Sequence, residues 1–171
     1  LLMRLFFLPF ILAQLVHSQP IQWNQFRGPN GDGDAGKANL PVQFSETENL
    51  TWKTPMPGKA WSSPVVKDGK VWITNAEEDG FKMWAIQLDW KTGKLLKKVL
   101  VFENKEPQFC HPMNSYATPT PVIAGNQVFV HFGSHGTAAL DANTGRKIWE
   151  RRDLKCDHYR GSAASPIPHL D

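Results

Sequence analysis

One stretch of this chain is written twice. Ser62-Ser63-Pro64-Val65-Val66-Lys67-Asp68-Gly69-Lys70-Val71-Trp72-Ile73-Thr74 returns as Pro119-Thr120-Pro121-Val122-Ile123-Ala124-Gly125-Asn126-Gln127-Val128-Phe129-Val130. Each copy runs on into an apolar strand with a polar end, Trp84 to Lys94 and Ala138 to Arg146, sharing the pattern Leu-Asp-x-x-Thr-Gly-basic. Such self-similarity restricts the fold sharply, because a short repeat cannot bury its apolar face alone and must stack on its neighbours.

The spacing inside each copy reads as strands joined by tight turns. Asp68-Gly69 and Gly125-Asn126 tolerate positive φ and mark a reversal into a hairpin partner. Asp89 and Asp141 can accept bonds from backbone amides two or three residues on, with Gly93 and Gly145 taking the left-handed position that ends the turn. Each unit therefore supplies four strands, the outer ones running Leu95 to Phe102 and Lys147 to Leu154. Seven Trp and ten Phe beside 13 Gly and 13 Pro suit short strands broken by turns, and no helical periodicity is sustained beyond the first residues.

Four antiparallel strands per repeat of roughly 45 to 55 residues make a propeller blade. The fold class expected is all-β: a β-propeller of four-stranded blades, of which about two and a half are present. The blades span 61–103 and 116–154, and a third starts over 160–171, where Ser162-Ala163-Ala164-Ser165-Pro166-Ile167 places Pro166 in the role of Pro64 and Pro121. Closed propellers need at least four blades, so the expectation is a fragment of a ring. Leu50 to Thr54 resembles an outer strand, with Trp52 in the place of Trp149, and is expected to close a last blade lying elsewhere.

Residues 1–18 differ in kind. Arg4 precedes the apolar run Leu5 to Ala13, which reads as a signal peptide cleaved near Ser18 and is too short to span a bilayer. The expected location is secreted or periplasmic, with no transmembrane segment after cleavage and residues 19–47 forming an N-terminal extension and loop. Nineteen basic and 16 acidic residues are spread along the chain, which excludes an electrostatic footprint for nucleic acid.

The repeats resemble those of the pyrroloquinoline quinone (PQQ)-like β-propeller family, whose blades close with Ala-x-Leu-Asp-x-x-Thr-Gly-x-x-x-Trp. Ala138 through Trp149 fits that motif, while the first blade has Lys97 where the Trp would stand. Trp23 to Gly33, Phe109 to Tyr116 and Cys156 to Gly161 are similar to exported propeller proteins of planctomycete-like bacteria. The resemblance implies either of two functions. One is a binding or scaffold platform of the kind formed by outer-membrane assembly lipoproteins, with a protein or small-molecule ligand at the propeller mouth. The other is a quinoprotein alcohol dehydrogenase, which would hold PQQ and calcium on the axis. The shared motif builds the blade and does not choose between them, so no cofactor is assigned and no catalytic residue is named.

Cys110 lies eleven residues before Pro121 and Cys156 ten before Pro166, which puts both in equivalent loops of successive blades. Three readings compete for them: a disulfide between blades, a Cys/His metal site with His111 and His158, or two free thiols. No Cys-x-x-Cys pair supports a metal, and none is assigned. Loops entering the inner strands approach the axis, so the candidate ligand-binding residues are Trp61, Asn114, Tyr116, His158 and Arg160, with Trp61 and Tyr116 also suited to packing between blades. Asn30-Gly31-Asp32-Gly33-Asp34 has calcium-loop oxygens, but Ala35 and Pro41 stand where an EF-hand needs Gly and Glu, so it reads as a turn. His131 reads as a strand residue.

Overall fold

The computed structural model describes residues 22–169, so the signal-peptide assignment to 1–18 lies outside the described residues. Two four-stranded antiparallel sheets carry the fold. The first contains β1 (Val65–Lys67), β2 (Lys70–Ala76), β3 (Lys82–Asp89) and β4 (Leu95–Glu103); the second contains β5 (Val122–Ala124), β6 (Gln127–His131), β7 (Thr137–Asp141) and β8 (Lys147–Arg151). In each sheet the spatial order is the chain order, β1-β2-β3-β4 and β5-β6-β7-β8, so each is one propeller blade. One turn of 3-10 helix, Gly133–His135, joins β6 to β7.

The two innermost hairpins reverse by different means. Asp68 and Gly69 both have positive φ, 50° and 71°, the pattern of a type I′ turn, whereas in the second blade only Gly125 does, at 56°. Gly125 alone takes the left-handed position in that turn, and β5 reverses into β6 there as the sequence indicated.

The Leu-Asp-x-x-Thr-Gly motif has a visible mechanical role. Asp89 Oδ1 accepts bonds from the Lys91 amide at 3.0 Å, the Thr92 amide at 2.8 Å and the Thr92 hydroxyl at 2.7 Å. Asp141 Oδ1 repeats the set with Asn143 N at 3.0 Å, Thr144 N at 2.7 Å and Thr144 Oγ1 at 2.9 Å. These bonds favour the carboxylate and hold both acids below their ordinary value, the Thr92 hydroxyl contributing most at Asp89 and the Thr144 amide most at Asp141.

Period-two alternation puts one face of each blade against the other. Trp72, Met83, Val101 and Phe102 of the first blade meet Val128, Val130, Phe132 and Leu140 of the second in one continuous core. The opposite face of the first blade, Val66, Val71, Ile86 and Leu88, is covered by Trp23, Trp52 and Met56 from the N-terminal segment. Trp52 Nε1 donates to Trp90 O at 2.8 Å and Thr54 Oγ1 to Gly93 O at 2.7 Å. Among the described residues Leu50 to Thr54, expected as a closing outer strand, forms no strand and has no ladder partner.

Equivalent residues link successive blades. The Ser63 amide donates to Thr120 Oγ1 at 3.0 Å, and the Thr120 amide donates in turn to Ser165 Oγ at 2.9 Å. Ser165 thus stands to Thr120 as Thr120 stands to Ser63, while residues 160–169, where the sequence suggested the start of a further blade, form no strand. β8 ends at Arg151 rather than at Leu154, where the chain leaves the sheet; the Arg151 guanidinium turns onto the Asp153 carboxylate at 2.8 Å. Among the described residues no helix is long and apolar enough to cross a membrane.

Candidate functional site

The loop that enters β5, 104–121, and the segment that follows β8, 152–166, lie side by side, joined by bonds across them. Asn114 clamps them. Its Nδ2 donates to Arg160 O at 2.8 Å and Ser162 O at 3.3 Å, while its Oδ1 accepts from Thr118 Oγ1 at 2.6 Å and Ser115 N at 2.8 Å. Gln108 Nε2 reaches Asp157 Oδ1 at 3.2 Å, and the Phe109 and Tyr159 rings meet with centroids 5.8 Å apart.

Tyr116 packs between the blades and also fixes the loop. Its hydroxyl donates to Gln108 O at 2.8 Å and its ring stands edge-on to His135 at 5.3 Å. Gly80 has φ +77° and a Cβ there would fall 2.5 Å from the Tyr116 ring, so this approach needs glycine. His135 is pinned as a neutral ring: Nδ1 donates to Phe132 O at 3.1 Å, and Nε2 accepts the Gln108 amide at 3.1 Å. His131 stands in β6, as its sequence context suggested, with Nδ1 2.8 Å from Thr137 Oγ1.

Burial pushes both imidazoles below their ordinary value, helped by the charge of His158 at His131. At His135 the charges of Arg152 and Lys155 act in the same direction, against the Phe132 carbonyl bond. A histidine held neutral in the fold takes up its proton more readily when unfolded. Stability is therefore complete above the ordinary histidine value near 6.5 and is lost as pH falls below it. We expect the denaturation midpoint to drop between about pH 6.5 and 5 and the drop to shrink in His135→Gln, as followed by tryptophan fluorescence; a flat midpoint across that window would contradict the neutral assignment.

Both cysteines are free thiols in the structure. Cys110 Sγ points to Arg160 O at 3.9 Å and lies against Gly161, where a Cβ would be 2.7 Å from the sulfur. Cys156 is tied to a different element, its amide donating to Ser134 Oγ at 2.8 Å. Burial pushes the Cys110 thiol up despite the charge of Lys59, which keeps it protonated at neutral pH.

Of the five sequence-selected residues, the fold gathers Asn114 and Arg160 on one cavity of about 600 Å³, together with His111, Met113, Gly161 and Ala163. Tyr116 and Asn114 share a neighbouring cavity of about 230 Å³ with Lys59, Glu77, Cys110 and His111. His158 is exposed and closes the turn, its carbonyl accepting the Gly161 amide at 2.9 Å. Trp61 lines neither cavity; it is half-exposed with the Lys59 ammonium 5.7 Å from its ring centroid.

Sequence reasoning passed over Phe109, Met113 and Tyr159, which are 57%, 82% and 73% exposed beside the clamp. Their signal was available in the large apolar residues flanking Cys110 and His158. Among the described residues no group of three or more His, Cys, Asp and Glu could hold a metal ion. The carboxylates of Asp32 and Asp34 accept the amides of Asp34 and Gly36, at 2.9 and 2.7 Å, as turn residues do.

A family model described as outer membrane protein assembly factor BamB matches residues 36–158. No curated protein matches the chain. Among solved structures, a europium-containing methanol dehydrogenase is similar at 23% identity and a TM-score of 0.37, over 52% of this chain. The chain spans 14% of that dehydrogenase.

Proposed function

The chain belongs to the PQQ-like propeller-repeat family of the outer membrane protein assembly factor BamB model, and from that membership we propose that it is an exported binding platform whose partner docks on the clamped loops. The observation that carries this reading is the exposed group Phe109, Met113 and Tyr159, with the half-buried His111 ring beside Tyr159, on two loops joined by the Asn114–Arg160 and Gln108–Asp157 bonds. Exposed aromatic and Met side chains on a rigid frame are the composition of binding hot spots, because their area is large and little conformational entropy is lost on docking. Arg160 and His111 add donors at the rim of the same cavity. Export to the periplasm or cell exterior is the compartment in which the apolar leader and this surface make sense together.

The experiment uses the whole protein in its native envelope. A photo-crosslinking residue at position 113 is expected to trap a discrete partner, and Phe109→Ala with Tyr159→Ala to cut that product at least about tenfold, the loss of two anchors of 1 kcal/mol or more. In parallel, the purified protein is titrated with PQQ and calcium and assayed for dye-linked alcohol oxidation. Saturable binding with turnover would replace the platform by a quinoprotein dehydrogenase.

A further inference from the structure

The innermost strand of a propeller blade turns one edge to the axis, and that edge carries amide and carbonyl groups with no neighbouring strand. Here the chain's own N-terminal stretch meets those groups. The Trp23 amide donates to Val66 O and the Val66 amide to Trp23 O, both at 2.8 Å. The next residue serves the other blade: the Ile123 amide donates to Asn24 O at 2.8 Å, and Asn24 Nδ2 donates to Ile123 O at 3.2 Å. Val66 and Ile123 hold equivalent places, two residues after Pro64 and Pro121.

Consecutive residues of an extended chain direct their backbone groups to opposite sides. A segment whose one residue bonds β1 and whose next residue bonds β5 therefore lies between the two inner edges. Both ends of it are anchored. Gln22 Nε2 reaches Asp68 Oδ1 at 3.3 Å, and the Trp23 ring packs against the core of the first blade. Gly28, buried at φ +80°, lies against the face of that ring, where a Cβ would fall 2.7 Å from its atoms. The chain turns away there, the Gly28 amide donating to Gln25 O at 3.1 Å.

We infer that the inner edges of β1 and β5 form a slot for an extended peptide and that Gln22–Gln25 fills it in cis, bonding both blades where a ligand on the axis would otherwise meet them. The slot is separate from the clamped loops. It also answers the fit of the quinone implied by the family resemblance. A planar, calcium-bound quinone needs free carboxylates and amides facing the axis, and at this level the Asn24 amide is engaged with Ile123 O while the edge groups of both blades are bonded to peptide. The residues present between β1 and β5 do not fit that group.

The test is amide hydrogen exchange on the full chain. The Val66 and Ile123 amides should be protected, and Trp23→Ala should speed both at least about tenfold while Val128 and Val130 in the β6–β7 ladder change little. A synthetic peptide of residues 22–28 added to the Trp23→Ala protein should restore protection saturably. Free exchange at Val66 and Ile123 in the unaltered chain, or a peptide without effect on the variant, would overturn the slot. PQQ bound stoichiometrically with calcium while both amides stay protected would overturn its exclusion of the quinone. Each readout is independent of Phe109 and Tyr159, so failure here is distinct from failure of the platform reading.

Discussion

Replacing Phe102 by alanine is expected to cost about 3–5 kcal/mol, because its ring joins the two blades. Phe102 is only 2% exposed and sits at the end of β4, where it touches the second blade on several sides. Its ring stands edge-to-face with Phe132 at 5.9 Å, and the Arg152 guanidinium and Lys147 ammonium lie over it at 5.0 and 5.3 Å. Gly136 at φ +138° brings the backbone close enough that a Cβ would be 2.7 Å from the same ring. Truncation leaves a cavity that rigid strands on both sides cannot collapse into. Leu96→Ala on the same strand, at a 43% exposed position, should change stability by no more than about 0.5 kcal/mol. Urea denaturation of the two variants is decisive: similar midpoints would mean that the blade faces do not pack as described.

Thr74→Val tests the polar half of the same junction and is expected to cost about 1–3 kcal/mol. Thr74 is fully buried, and its hydroxyl lies 3.2 Å from Ala117 O and 3.1 Å from Pro119 O, two carbonyls of the segment that leads into the second blade. Valine keeps the volume and the branched shape but removes the donor, so two buried carbonyls lose it. The loss comes from desolvation without compensation rather than from packing. Thr74→Ser keeps the hydroxyl and should recover most of the difference in a thermal melt. If valine and serine behave alike, the hydroxyl is not what joins the blades.

Blade organisation was legible because its rules are local. Asp68-Gly69 and Gly125 sit where hairpins reverse, Asp89 and Asp141 organise identical turns, and the repeated spacing between these turns marks off four strands per unit. The residues before Pro64, Pro121 and Pro166 are also linked in series, Ser63 to Thr120 and Thr120 to Ser165, as equivalent places of a repeat. The mouth was legible only in outline. Asn114, Tyr116 and Arg160 were found, yet the reason they converge is the bond from Asn114 to Arg160 O, across 46 residues.

Sequence by itself thus determined an all-β chain of four-stranded blades and the loops that enter them, since periodicity, turn chemistry and repeat spacing act over a few residues. Tertiary structure alone decided that the N-terminal segment lies between β1 and β5, that Trp23 and Trp52 cover one face of the first blade, and that Phe109, Met113 and Tyr159 are exposed beside the clamp. The physical reason is that a pairing between backbone edges depends mainly on groups every residue carries: Trp23 meets Val66 through main-chain groups, and the side-chain amide that Asn24 adds to Ile123 O belongs to no local pattern, so only the folded blades present those edges at the right separation.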